Sequence, residues 1–124
     1  MSKILILGFH TINIILIIFY LYPGSLLGFF LYNDSSIQPQ ITRDFLISSN
    51  HFYVFIILSI SGIIAYNKTT RINVLITYLF LLSIILEFSH IIIPNRNFEL
   101  SDLFGNFLGV ILVVTFYKIK NRNV

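Results

Sequence analysis

From residue 4 to residue 22 the chain carries no Asp, Glu, Lys or Arg, and that run fixes the environment in which it can fold. It is long enough to cross a hydrocarbon core of about 30 Å as a helix, and Pro23-Gly24 ends it. Further apolar runs cover residues 45–66, 72–93 and 102–117. Backbone N–H and C=O groups have no water to pair with in lipid, so runs of this kind are satisfied there as helices. Of the 124 residues, 56% are hydrophobic and 10% charged, with mean hydropathy +0.88, a balance that excludes an ordinary soluble domain. The predicted fold is an all-α membrane protein, a bundle of four transmembrane helices at about 4–22, 45–66, 72–93 and 102–117. One domain over residues 1–124 and a multi-pass place in the cell membrane are expected.

Lys3 ahead of the first run resembles a signal peptide, but the run exceeds the usual apolar core and lacks a small-x-small cleavage site, so it is read as a retained anchor. The second run opens on the polar turn Ser48, Ser49, Asn50, His51, and Pro94 closes the third. The fourth is short, with Ser101 available as N-cap and Asp102 in its first turn, and is expected to stand with little tilt or to thin the bilayer. The apolar piece at residues 24–32 is too brief to span and is expected to be interfacial or partly re-entrant.

The net charge of +3 and pI near 9.3 do not indicate nucleic acid, because the basic residues sit at the ends of apolar runs and form no single patch. Four spans put both termini on one side together with Lys3, Lys68, Arg71, Lys118, Lys120 and Arg122, against only Arg43 and Arg96 on the other. The excess of positive charge predicts that both ends are cytoplasmic and that residues 23–44 and 94–101 face outward. Cysteine is absent, which excludes a disulfide framework, a thiolate nucleophile and cysteine-based metal sites.

Polar residues concentrate between Glu87 and Gly109. Ser83, Glu87 and His90 are spaced i, i+4, i+7 on the third helix, and Asp102, Asn106 and Gly109 repeat that spacing on the fourth, so each set shares a face. Arg96 lies in the turn between them, and Asn50 and His51 open the second helix on the same side. An ionisable group inside a membrane is a functional candidate by default. The candidate ligand-binding residues are therefore His51, Glu87, His90, Arg96, Asp102 and Asn106. Each has a plainer reading: a buried Glu87–Arg96 pair locking the hairpin, Asp102 as a helix-terminal charge, Asn106 as an interhelical hydrogen bond, and the histidines as interfacial side chains. His51, His90, Glu87 and Asp102 are metal-ligand types, but no HExxH or comparable spacing is present, and neither a metal nor a cofactor is expected. Pro94, Gly105 and Gly109 are structural candidates. The two glycines form a small-xxx-small step that serves contact within the bundle or between subunits. His10 and Asn13 are expected to satisfy each other or a neighbouring helix, and Tyr20, Tyr22, Tyr32 and Tyr117 to meet lipid at the interfaces.

Glu87, His90, Pro94, Arg96, Asp102, Asn106 and Gly109 together resemble the E-x-x-Q, P-x-R, D-x-x-x-N-x-x-G signature of VanZ-like membrane proteins, and the four-span layout extends the likeness. His51 is similar to a histidine that follows an Asp-Lys pair in many members. His90 stands where the family has Gln, and Ile47-Ser48 where it has Asp-Lys. The family takes its name from a teicoplanin-resistance accessory protein, so the resemblance implies a cell-envelope role bearing on glycopeptide access to wall precursors.

The leading expectation is a non-enzymatic protein whose outer-leaflet cluster grips the polar part of a lipid or lipid-linked cell-wall precursor, Arg96 taking a phosphate or carboxylate and Asp102 and Asn106 taking hydroxyls or amides. One alternative is an intramembrane enzyme acting on a lipid head group, with Glu87 or Asp102 as general base, although no nucleophile motif supports it. The other is a structural subunit that joins a membrane-protein partner or a second copy. The lipid bilayer is the one partner common to all three.

Overall fold

The computed structural model describes residues 2–122, so Met1, Asn123 and Val124 of the expected domain lie outside the described residues. Four helices are long and apolar enough to cross a membrane: α1 (Lys3–Leu21), α3 (Ser49–Tyr66), α4 (Ile72–Ser89) and α5 (Leu100–Arg122). A short α2 (Leu26–Tyr32) follows α1, and no strand occurs among the described residues. The all-α four-span bundle is the one that the apolar runs predict.

Each long helix is apolar around most of its circumference, as a membrane span must be. The inner faces supply Phe9, Leu16 and Tyr20 from α1, Phe55, Leu58 and Ile63 from α3, Leu75, Leu79, Leu82 and Leu86 from α4, and Val110 and Val114 from α5. The α4 leucines recur at i, i+4, i+7 and i+11, which keeps them on one stripe. Ile14, Ile18, Ile57, Ile64, Ile85 and Phe116 stay exposed on the outer surface, where lipid replaces water.

The largest interface is between α3 and α5. Gly105 and Gly109 make it close: a Cβ on Gly105 would stand 2.7 Å from the Ser48 carbonyl oxygen, and one on Gly109 2.8 Å from that of Phe52. The small-xxx-small step is therefore used inside the bundle, and this seam is not left for a second subunit. His10 and Asn13 satisfy neighbouring helices, His10 Nε2 lying 3.1 Å from the Tyr66 hydroxyl and Asn13 Nδ2 donating to that of Tyr78 at 2.6 Å.

Helix ends depart from the predicted ones for local reasons. The first span, predicted at 4–22, is shifted by a single residue, with Ser2 accepting the Ile4 N–H. The second begins at Ser49 instead of residue 45, leaving Phe45 and Leu46 exposed in the loop. Asp44 accepts the Ser49 N–H at 2.9 Å, taking one of the donors that a helix start leaves unpaired. Asn50 fastens the same loop, accepting the Ile41 N–H and donating to the Pro39 carbonyl.

The third span stops at Ser89, short of residue 93. The N–H groups of His90, Ile91 and Ile92 turn to carbonyls three residues back, and Pro94 disfavours helical backbone at Ile93. The fourth starts at Leu100, so Ser101 lies inside the first turn and Glu99 supplies the opening carbonyl, to the Leu103 N–H. It continues to Arg122 over 23 residues, beyond the apolar run that ends at residue 117, and its last turn places Lys120 and Arg122 at the negative dipole end. The 24–32 piece gives the non-spanning α2, started by Ser25 accepting the Gly28 N–H and ended by Asn33 in the left-handed region at φ 53°.

Candidate functional site

Antiparallel alternation gathers the C-terminal ends of α1 and α4 and the N-terminal ends of α3 and α5 at the end of the bundle away from both termini. The polar residues predicted from four separate segments meet there.

Glu87 is fully buried at that end. Its Oε1 accepts the backbone N–H of Glu99 at 3.1 Å and lies 3.3 Å from His90 Nδ1. Its Oε2 has no hydrogen-bond partner among the described residues and lies 3.7 Å from His51 Nδ1. The Glu87–Arg96 pair of the plainer reading does not form among the described residues. Arg96 instead donates to the Gly24 carbonyl at 3.1 Å and sets Nε and Nη2 at 3.4 and 3.3 Å from His90 Nε2. His90 thus stands between acid and guanidinium: with Nδ1–H given to the carboxylate, Nε2 accepts from Arg96. In the other tautomer the same Nε2 donates to the Tyr20 carbonyl, 3.0 Å away. Burial lowers the Arg96 pKa from the usual arginine value, with Tyr20, Glu87 and Asp102 acting against that shift, and the side chain keeps its charge at neutral pH.

His51 forms the second half of the cluster. Its Nδ1 lies 2.9 Å from the Tyr20 hydroxyl and 3.0 Å from Asn106 Oδ1, while its Nε2 faces Asp102 Oδ2 at 3.5 Å. Asn106, also fully buried, accepts the Tyr20 hydroxyl at 2.5 Å and donates to the Ser83 carbonyl at 3.1 Å. Its Oδ1 and one Nδ2–H are held within the bundle, and its burial keeps it from the cavity surface.

Tyr20 joins the site although its sequence position predicts a lipid-facing residue. It is buried instead of lipid-facing, stacks on His90 with centroids 5.7 Å apart and 14° between planes, and meets His51 edge-on. A tyrosine near a helix end reads as an interfacial anchor. The signal against that reading is its i+4 step from Leu16 and i+7 step from Asn13, which puts it on the same buried stripe.

Two cavities adjoin the cluster. An apolar groove of about 310 Å³ runs between α1, α2 and α3, with Ile12, Leu16, Phe19, Leu27, Val54 and Ile57 on its walls. A polar cavity of about 530 Å³ is bounded by His90, Asn95, Asn97, Glu99 and Asp102 and by Ser35 and Ser36 of the loop after α2. Ser25, Gln38, His51 and Arg96 line both. Of the predicted ligand-binding residues, His51, His90, Arg96 and Asp102 reach the polar cavity, whereas Glu87 and Asn106 sit behind them. Pro94 lies in the α4–α5 turn. Comparison with protein-family models, curated proteins and solved structures finds no match to this chain.

Proposed function

We propose that this protein binds a lipid bearing a phosphate or carboxylate, with the chain of the lipid in the apolar groove and its polar group in the adjoining cavity. The observation that carries the reading is the junction of the two spaces along Ser25, Gln38, His51 and Arg96. An amphiphile needs such a junction, because its apolar part must stay in an apolar space while its polar end finds hydrogen bonds. Arg96 is the cation at that junction, and a guanidinium offers paired donors suited to phosphate or carboxylate. The distribution of Lys and Arg favours the outer leaflet for this end. Resemblance to VanZ-like proteins favours a cell-envelope ligand such as a lipid-linked wall precursor and, with it, a part in glycopeptide (teicoplanin) resistance.

Full-length protein in nanodiscs is expected to bind labelled lipid-linked wall precursor, and Arg96→Gln to weaken that binding by about tenfold or more, the scale of one charge-assisted hydrogen bond. Equal affinity in wild type and in a folded Arg96→Gln variant would overturn the reading. A hydrolytic role draws on one feature, the His51–Asp102 contact of 3.5 Å on the cavity wall, where a general base would act. A new product in envelope lipids incubated with the protein, detected by mass spectrometry, would favour it over binding alone.

A further inference from the structure

We infer that His51, Glu87 and Asp102 form a binding site for one divalent metal ion. The three come from α3, α4 and α5, and each offers a nitrogen or oxygen within 4.8 Å of the others. A site assembled from three helices has no signature in local spacing, so it stands against the expectation of no metal.

Three observations point to a cation. Glu87 is fully buried, yet Oε2, 3.7 Å from His51 Nδ1, has no hydrogen-bond partner among the described residues. A buried carboxylate oxygen left this way is expensive unless a positive charge meets it. Arg96 does not meet it, being held by His90 and the Gly24 carbonyl.

The ring of His51 is also oriented as a ligand. With Nδ1–H directed at Asn106 Oδ1 and the Tyr20 hydroxyl, Nε2 presents its lone pair toward Asp102, while Glu87 Oε2 lies on the Nδ1 side of the ring at 3.7 Å and has to swing toward Nε2 to share the ion. Metal-bound histidines are commonly held by such a hydrogen bond from the other ring nitrogen. Asn106 is in turn fixed by the Ser83 carbonyl.

One donor–donor distance already suits an ion, and the others, within 4.8 Å, would contract onto it. Donors about 2.1 Å from a tetrahedral metal stand roughly 3.4 Å apart, close to the 3.5 Å between His51 Nε2 and Asp102 Oδ2. One imidazole and two carboxylates fit Zn²⁺ or Mn²⁺ and leave coordination positions open. His51 and Asp102 line the polar cavity, so an open position would face it. There the ion would give a phosphate a second positive partner beside Arg96, an extension that rests on the lipid reading, whereas the metal site does not.

The test uses the metal alone. Metal-stripped, full-length protein in detergent is titrated with Zn²⁺ and, separately, Mn²⁺, and bound metal is counted by mass spectrometry alongside calorimetry. The expected result is one equivalent per chain for at least one of the two ions. Glu87→Gln and Asp102→Asn should each weaken it by about 100-fold or more, since even residues supporting a ligand account for 10- to 100-fold. His10→Ala, remote from the cluster, should leave binding unchanged. Asp102 is partly exposed, so Asp102→Asn serves even where Glu87→Gln lowers the yield of folded protein, which circular dichroism checks. Failure of the wild type to take up either ion, or undiminished uptake by folded Asp102→Asn, would overturn the site. Lipid binding that persists without metal would leave the lipid reading standing and separate the two.

Discussion

Gly109→Leu is expected to lower the stability of the bundle by about 3 kcal/mol, the upper range for overpacking a well-filled core, and to scatter the polar cluster with it. A Cβ at this position would stand 2.8 Å from the Phe52 carbonyl oxygen and 3.0 Å from Phe55 Cβ, so the first obstacle is α3 backbone, which cannot rotate aside. The only relief is separation of α3 from α5, the largest interface in the bundle. Separation also draws Asn106 and Asp102 of α5 away from His51 of α3, so stability and site geometry fall together. Gly8→Ala is the matched control: nothing lies within 4 Å of a Cβ there, and the better helix propensity of Ala gives a neutral or slightly stabilising change of about 0.5–1 kcal/mol. Thermal unfolding in detergent followed by circular dichroism measures both.

Asn106→Leu is expected to cost about 2–4 kcal/mol by the same measurement, through lost polar satisfaction in a buried network. Its amide accepts from Tyr20, lies 3.0 Å from His51 Nδ1 and donates to the Ser83 carbonyl. Interhelical hydrogen bonds in membranes average about 0.6 kcal/mol, so three of them set the lower end of that range. Burial of the remaining hydroxyl, imidazole and carbonyl groups raises it, because each unsatisfied partner adds its own desolvation cost. Tyr20→Phe removes one of those partners, so the double variant Tyr20→Phe, Asn106→Leu should lose less than the sum of the two singles, with a coupling of about 0.5 kcal/mol or more. Strict additivity would show that the Tyr20–Asn106 bond contributes nothing.

The apolar runs carry the fold in the sequence because a membrane leaves few choices to a run of such length. Helix ends were less legible. Asp44, outside the second apolar run, pairs with the Ser49 N–H, and the Glu99 carbonyl opens α5, both details of loop conformation. At the site, i, i+4, i+7 spacing identifies the inward faces of α4 and α5, and topology identifies the end at which they meet His51. Pairing within the cluster depends on ångström-scale rotamers: His90 lies between Glu87 and Arg96, a placement that helical spacing does not encode. Tyr20 is not legible as a site residue because its type and position near a helix end also suit a lipid interface.

The central claim is that one amphiphile occupies both spaces, chain in the groove and polar group beside Arg96. Photocrosslinking tests it most directly, using a lipid pyrophosphate with a diazirine near the start of its chain and the full-length protein in nanodiscs. The predicted result is labelling concentrated on Leu16, Phe19, Val54 and Ile57 and lost in Arg96→Gln. Labelling spread over the outer residues Ile14, Ile85 and Phe116, and indifferent to Arg96→Gln, would contradict it.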